Sequence, residues 1–196
     1  MVKHSMGKHS LLALTLALLH VGVVHAAPIT FTTTLTGAGE NPPNASPGTG
    51  IATVVYDDDT HRLSIETAFS GLTAGTTAAH IHCCAPPPTN SIPATTVPSF
   101  LGFPTGVTEG SFEGTLDLTL GSSFNPAFLE LHGASVSAAE AAFAAGLASG
   151  GAYLNIHTTA FPGGEIRGFL RPVPEPHALS AVGLALLMLI AARARH

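Results

Sequence analysis

Tryptophan is absent from this 196-residue chain, and cysteine occurs only twice, at the adjacent positions Cys83 and Cys84. Cross-linked secreted scaffolds use spaced cysteine pairs, so this is not one of them. A bond between neighbours would be strained, because their Cα atoms lie about 3.8 Å apart across a trans peptide. The pair therefore reads as two thiols, or a labile vicinal disulfide, in a loop. Thiolate ligands beside a metal are the sharper alternative, but no CxxC spacing supports it. Basic residues are scarce too. Between 27 and 171 only Arg62, Arg167 and Arg171 face eleven carboxylates, a formal charge of −8. Such a surface cannot neutralise phosphates, so nucleic acid is not an expected partner. There is no Gly-x-Ser-x-Gly elbow, phosphate-binding Gly-rich loop or HExxH motif, and nothing resembles a nucleophile–base arrangement. No internal repeat is evident.

What is abundant is glycine and proline, 21 and 15 residues, together with threonine and serine. That composition favours strands and tight turns over helix bundles. Ile29, Phe31, Thr33 and Leu35 alternate onto one face of a strand over 29–36. A turn-rich piece follows over 37–50. Residues 51–56 and 61–69 form a hairpin across Asp57-Asp58-Asp59-Thr60, with Leu63, Ile65, Thr67 and Phe69 on one face. The aspartates lack the glycine and distal Glu of a known calcium loop, so they read as a solvated turn. A short strand spans 78–82. The proline-rich segment 83–110 is long for a compact domain, and such loops are usually functional or mobile. Phe112, Gly114, Leu116, Leu118 and Leu120 mark another alternating strand. Ser137-Ala138-Ala139-Glu140 reads as a capping box opening a helix to Ala148, which Gly150-Gly151 ends. Strands over 152–158 and 165–170 flank Phe161-Pro162-Gly163-Gly164. The expected fold is all-β, a Greek-key β-sandwich or barrel with one short helix in a connection.

Both ends stand apart from this domain. Lys3 and Lys8, an apolar run over 11–24 and Val24-His25-Ala26 form a signal peptide (1–26) with cleavage expected after Ala26. Residues 27–171 form the domain, long enough to bury a core. In 172–196, Pro174-Glu175-Pro176 precedes an apolar stretch over 178–192, closed by Arg193 and Arg195. That reads as a C-terminal hydrophobic helix with its arginines on the cytoplasmic side. This tail resembles the PEP-CTERM sorting signal. The resemblance implies delivery to the envelope or surface of a Gram-negative bacterium, with signal peptidase and an exosortase as partners during export and transient membrane anchoring by the helix.

Chemistry-bearing residues are few. His80 and His82 stand at i and i+2 in Ala79-His80-Ile81-His82, so on a strand both point to one face. Tyr153, Asn155 and His157 share a face of the later strand, with Leu154 and Ile156 on the other. Were the two strands neighbours, three histidines would converge, and His132 could add a fourth. Neutral imidazole suits copper or zinc. The plain alternative is a hydrogen-bonded structural cluster. Glu165 and Arg167 also share a face and read as an ion pair at a strand edge.

Ala79-His80-Ile81-His82, together with Tyr153-Leu154-Asn155-Ile156-His157-Thr158 and Phe161-Pro162-Gly163-Gly164-Glu165-Ile166-Arg167-Gly168, resembles the CHRD domain. Thr36-Gly37-Ala38-Gly39-Glu40-Asn41-Pro42-Pro43 is similar to that family's opening segment. Many members continue the first histidine motif with glycine and small residues, whereas Cys83-Cys84-Ala85-Pro86 stands here. The resemblance implies a β-sandwich and marks Glu40, Asn155, Gly163, Gly164, Glu165 and Arg167, with the histidines, as motif positions. The His-x-His strand is also reminiscent of copper/zinc superoxide dismutase, at the level of fold analogy. The expected function is an exported, non-enzymatic surface or matrix module. It would bind a protein or exopolysaccharide partner, or copper or zinc through His80, His82 and His157. The alternatives are a dismutase-like metalloenzyme and a purely structural matrix protein.

Overall fold

The computed structural model of the chain describes residues 27–174. The signal peptide with its cleavage point at Ala26 lies outside the described residues, as do Glu175, Pro176, Arg193, Arg195 and the expected C-terminal helix. Among the described residues no helix is long and apolar enough to cross a membrane.

The protein is mostly β. Eight strands form one curled antiparallel sheet, half a barrel: β1 (Ile29–Thr36), β2 (Thr49–Asp57), β3 (Arg62–Ser70), β4 (Thr76–His82), β5 (Gly110–Asp117), β6 (Tyr153–Thr158), β7 (Ile166–Phe169) and β8 (Arg171–Pro172). Their order is β4-β6-β7-β1-β2-β3-β5, with β8 also beside β1. The β2–β3 hairpin closes over the aspartates as expected, pairing Asp57 with Arg62. Asp57 accepts from the backbone N–H groups of Asp59 and Thr60, which makes the turn self-sufficient. Sheet pairing continues past Arg171 through Pro172, and Val173 N–H donates to the Thr30 carbonyl. The concave side holds the core: Phe31, Leu35, Val54, Leu63, Ile65, Ile81, Leu154, Ile156 and Ile166 are all buried.

Three local expectations change. The β5 strand stops at Asp117 instead of running to Leu120. The Asp117 carboxylate accepts from the N–H and hydroxyl of Thr119, and its carbonyl from Leu120 and Ser123, so a turn captures the chain there. Leu118 is still buried, but Leu120 is half exposed. There are two α-helices in the connection from β5 to β6, not one: α1 (Pro126–Leu131) and α2 (Val136–Ala148). Asn125 caps α1 with Pro126 in the first turn, a start signal legible from sequence. The cap of α2 is Ser135, whose hydroxyl accepts from Ala138 N–H, so Ser137 and Glu140 form no capping box. Glu140 instead meets His61 Nδ1 at 3.0 Å and the Tyr56 hydroxyl at 3.3 Å.

The long segment after β4 is a packed cover. It runs along the free edge of β4, where unpaired backbone would otherwise invite foreign strands. Cys83 N–H donates to the Ile92 carbonyl, Ala94 and Thr95 N–H to that of Ile81, and Phe100 N–H to that of Ala79. Phe100 and Phe103 are buried and stack with Phe112 and Phe69 respectively, at 5.5 and 5.6 Å between ring centres.

Candidate metal centre

Antiparallel register decides which side chains meet. Pairing of β4 with β6 sets His80 opposite Asn155 and His82 opposite Tyr153, with His157 one step along, opposite Ala78. Pairing of β6 with β7 sets Asn155 opposite Arg167. Directly opposed side chains share a face. Because Ile81, Leu154 and Ile156 enter the core, the histidines, Asn155 and Arg167 take the convex face. In a half-barrel that face would be wet. Here the segments around Glu40, Asn90 and Pro162 cover it, and His80, His82 and His157 are 7, 9 and 9% exposed.

The three imidazoles form one cluster. Ring centres of His80 lie 4.7 Å from those of both His82 and His157, and one nitrogen from each ring lies within 4.8 Å of the others. His82 Nδ1–H donates to the Ser91 carbonyl at 2.7 Å, and His157 Nδ1–H to that of Pro162 at 2.8 Å. In a neutral imidazole this fixes the hydrogen on Nδ1 and leaves a bare lone pair on Nε2. Neither Nε2 has a hydrogen-bond partner, and neither does His80 Nδ1. Burial, with the two neighbouring imidazoles, pushes His80 down to about 3. Burial pushes His82 down to about 4 against the opposing Ser91 bond, and it lowers His157 as well. All three rings are therefore neutral at ordinary pH, the state a transition metal requires.

Around the cluster stands a polar shell. Tyr153 stacks on His82 at 4.7 Å, and the Arg167 guanidinium lies 4.6 Å from the Tyr153 ring centre. Arg167 donates from Nε to the Gly39 carbonyl, from Nη1 to Asn90 Oδ1 and from Nη2 to the Pro88 carbonyl. Its carboxylate neighbour is Glu40, 3.8 Å away. Asn155 Nδ2 donates to Glu40 Oε1 at 2.6 Å, while Asn155 Oδ1 is buried without a partner. Burial raises Glu40 to about 7, although Arg167 and Asn155 pull the other way. Gly164 adopts a φ of +129°, and a Cβ there would lie 2.7 Å from Glu40 Oε1. Gly163 is exposed, and a Cβ there would meet nothing.

Other expectations fall elsewhere. Glu165 and Arg167 do not pair with each other, and neither is at an exposed edge. Glu165 accepts from the Ser46 and Thr158 hydroxyls and from Thr73 N–H, which ties two loops to the end of β6. Burial alone would raise its pKa, but these donors hold it below the usual range. His132 ends α1, where Nδ1–H donates to the Phe128 carbonyl, and it contributes nothing to the cluster. Cys83 and Cys84 are disulfide-bonded to each other, so neither offers a thiolate to a metal. Alternation puts Tyr153 on the right face, but its stacking on His82 has no signal in the sequence. The carbonyls of Gly39, Pro88, Ser91 and Pro162 leave no side-chain signature to read.

Comparison with curated proteins and with solved structures gives no match. Comparison with protein families gives one, the CHRD domain, over residues 31–170, which runs from β1 through β7 and includes both helices and every residue of the cluster. The chain belongs to the CHRD domain family.

Proposed function

We propose that this protein is an exported, extracellular-type binding module whose histidine cluster holds copper or zinc. One observation carries the reading: three ring nitrogens are buried, neutral and without partners on one face of two paired strands. A buried polar atom left unsatisfied costs about 1–3 kcal/mol. Three together cost about 3–9 kcal/mol, a large share of the roughly 5–15 kcal/mol that stabilises a small domain. A bound cation removes that cost by using the lone pairs. The Ser91 and Pro162 carbonyls suit it further, since ligating histidines ordinarily donate their other N–H to such groups. A purely structural cluster would have its lone pairs met by donors.

The test is metal content of the purified protein after dialysis against copper and zinc, beside His80→Ala/His82→Ala. The expected result is one metal ion per chain, lost in the double variant. A wild-type protein that retains no metal overturns the reading. Export, through the N-terminal segment and the Pro-Glu-Pro tail, belongs to the same proposal, with a surface protein or exopolysaccharide as partner. Arg193→Glu/Arg195→Glu is expected to impair tail processing and surface delivery. Normal surface display of that variant would remove the sorting part of it.

A further inference from the structure

Three histidines leave a four-coordinate metal one ligand short. Among the described residues no fourth His, Cys, Asp or Glu joins the cluster. The two sulfurs are bonded to each other, His132 caps the end of α1, and the Glu40 carboxyl is engaged by Asn155. What adjoins the cluster instead is space. A cavity of about 210 Å³ has His82, Asn155, Tyr153, Glu40 and Arg167 in its wall. At about 30 Å³ per water in the liquid, it holds a few small molecules and no polymer segment. A second hollow of about 470 Å³ shares Glu40, Asn41, Asn90 and Gly163 with it. The far wall of that hollow, at Pro42, Pro43 and Pro162, is exposed, so the two together lead from solvent to His82, the member of the cluster that lines the cavity.

Resting on the metal reading above, we infer that the histidine centre keeps one coordination position open to this cavity, and that the position takes water or a small monoanion. Two observations specify the ligand. The first is Asn155, which is 1% exposed, lines the cavity and has an unpartnered Oδ1. An amide oxygen accepts hydrogen bonds only, so the group it awaits is a donor such as a bound water. The second is charge. Arg167 is 2% exposed, and its three bonds go to neutral oxygens, with Glu40 the only acid within 4 Å among the described residues. A divalent ion on the histidines leaves the chamber positive even with Glu40 ionised. In an enclosed site of low dielectric, that charge draws an anion inward and favours exchange of the water for it.

Azide is the probe, titrated into the full chain loaded with one equivalent of Cu(II) and followed by electron paramagnetic resonance and visible absorption. A saturable change in the copper spectrum, with a new azide-to-copper absorption band, is the expected result. Glu40→Gln removes a carboxylate from the cavity wall and should tighten azide binding severalfold. His80→Ala/His82→Ala should lose both copper and the azide signal, which identifies the responding copper. Copper retained at one per chain with a spectrum indifferent to azide overturns the inference and leaves the metal reading standing. A wild-type chain that retains no copper overturns both.

Discussion

Replacing Gly164 by alanine strikes the shell around the histidines without touching a candidate ligand. The backbone there has a φ of +129°, a region L-residues rarely enter. Holding alanine in it costs about 1–3 kcal/mol. The new methyl would also lie 2.7 Å from Glu40 Oε1 and closer still to Asn155 Nδ2, two atoms joined by a 2.6 Å hydrogen bond. Both belong to buried side chains, so forcing them apart leaves unmade bonds worth about 1–3 kcal/mol. The sum is about 2–6 kcal/mol. A loss of about 3 kcal/mol in a domain this size lowers Tm by roughly 6–12 °C. Gly163→Ala is the control, since its Cβ would meet open space and its φ is not in the left-handed region. That variant should stay within about 0.5 kcal/mol of wild type. Urea denaturation of both metal-free variants beside wild type measures the difference. A Gly164→Ala protein as stable as Gly163→Ala would refute the account of how Asn155 and Glu40 are held.

Acidification of the metal-free protein tests the buried imidazoles. His80 and His82 have folded pKa values of about 3 and 4 against 6.5 unfolded, so their contribution is present above 6.5 and is lost as pH falls below it. Glu40 opposes this, because its folded value of about 7 against 4.5 unfolded adds stability as pH falls from 7 toward 4.5. His157, also lowered by burial, acts in the same direction as the other two imidazoles. Each group changes stability by about 1.4 kcal/mol per pH unit within its window, so Glu40→Gln, which removes the one opposing group of these four, should lose stability between pH 6.5 and 5 more steeply than wild type; equal slopes would contradict the assignments. Cys83→Ser/Cys84→Ser should bind copper or zinc with unchanged stoichiometry, measured by mass spectrometry, because neither sulfur joins the cluster. Arg167→Lys should cost about 2–4 kcal/mol in urea denaturation, since one ammonium cannot span the Gly39, Asn90 and Pro88 acceptors that the guanidinium fork reaches.

Period-two patterning was enough to place β1, the β2–β3 hairpin and the two late strands, because a half-buried strand must alternate. It failed where side chains compete with the ladder. Alternation through Leu118 and Leu120 looks like continued strand, but Asp117 bonds locally and turns the chain. The two-residue shift of the α2 cap has a similar origin. Ser135 and Ser137 are equally good caps by composition, and only the packing of Glu140 against His61 and Tyr56 separates them. In the site, the spacing of His80 and His82 gave their shared face, and alternation gave that of Asn155 and His157. Sequence could not give the pairing of β4 with β6, since those strands are 70 residues apart and neighbours only through the sheet order. For the same reason Glu165 and Arg167 look like partners, whereas Arg167 is held by loops far away in sequence and Glu165 by the distant Ser46 and Thr73 together with Thr158.

The covering loops discriminate between a structural cluster and a binding one. Four backbone carbonyls, of Gly39, Pro88, Ser91 and Pro162, are turned onto this face, and each meets an N–H of Arg167, His82 or His157. All are acceptors, so they satisfy donors and nothing else. The lone pairs of His80, His82 and His157 and the amide oxygen of Asn155 are the buried side-chain atoms left over among the described residues. A cover that only sealed the sheet could have met those lone pairs with hydroxyls or backbone N–H groups, as Ser46, Thr73 and Thr158 do for Glu165. Instead the same fold satisfies one buried acceptor threefold and leaves four others bare on a single face. Ring nitrogens gathered together, with the tautomers of His82 and His157 fixed from behind, are what a cation needs and what a structural cluster avoids.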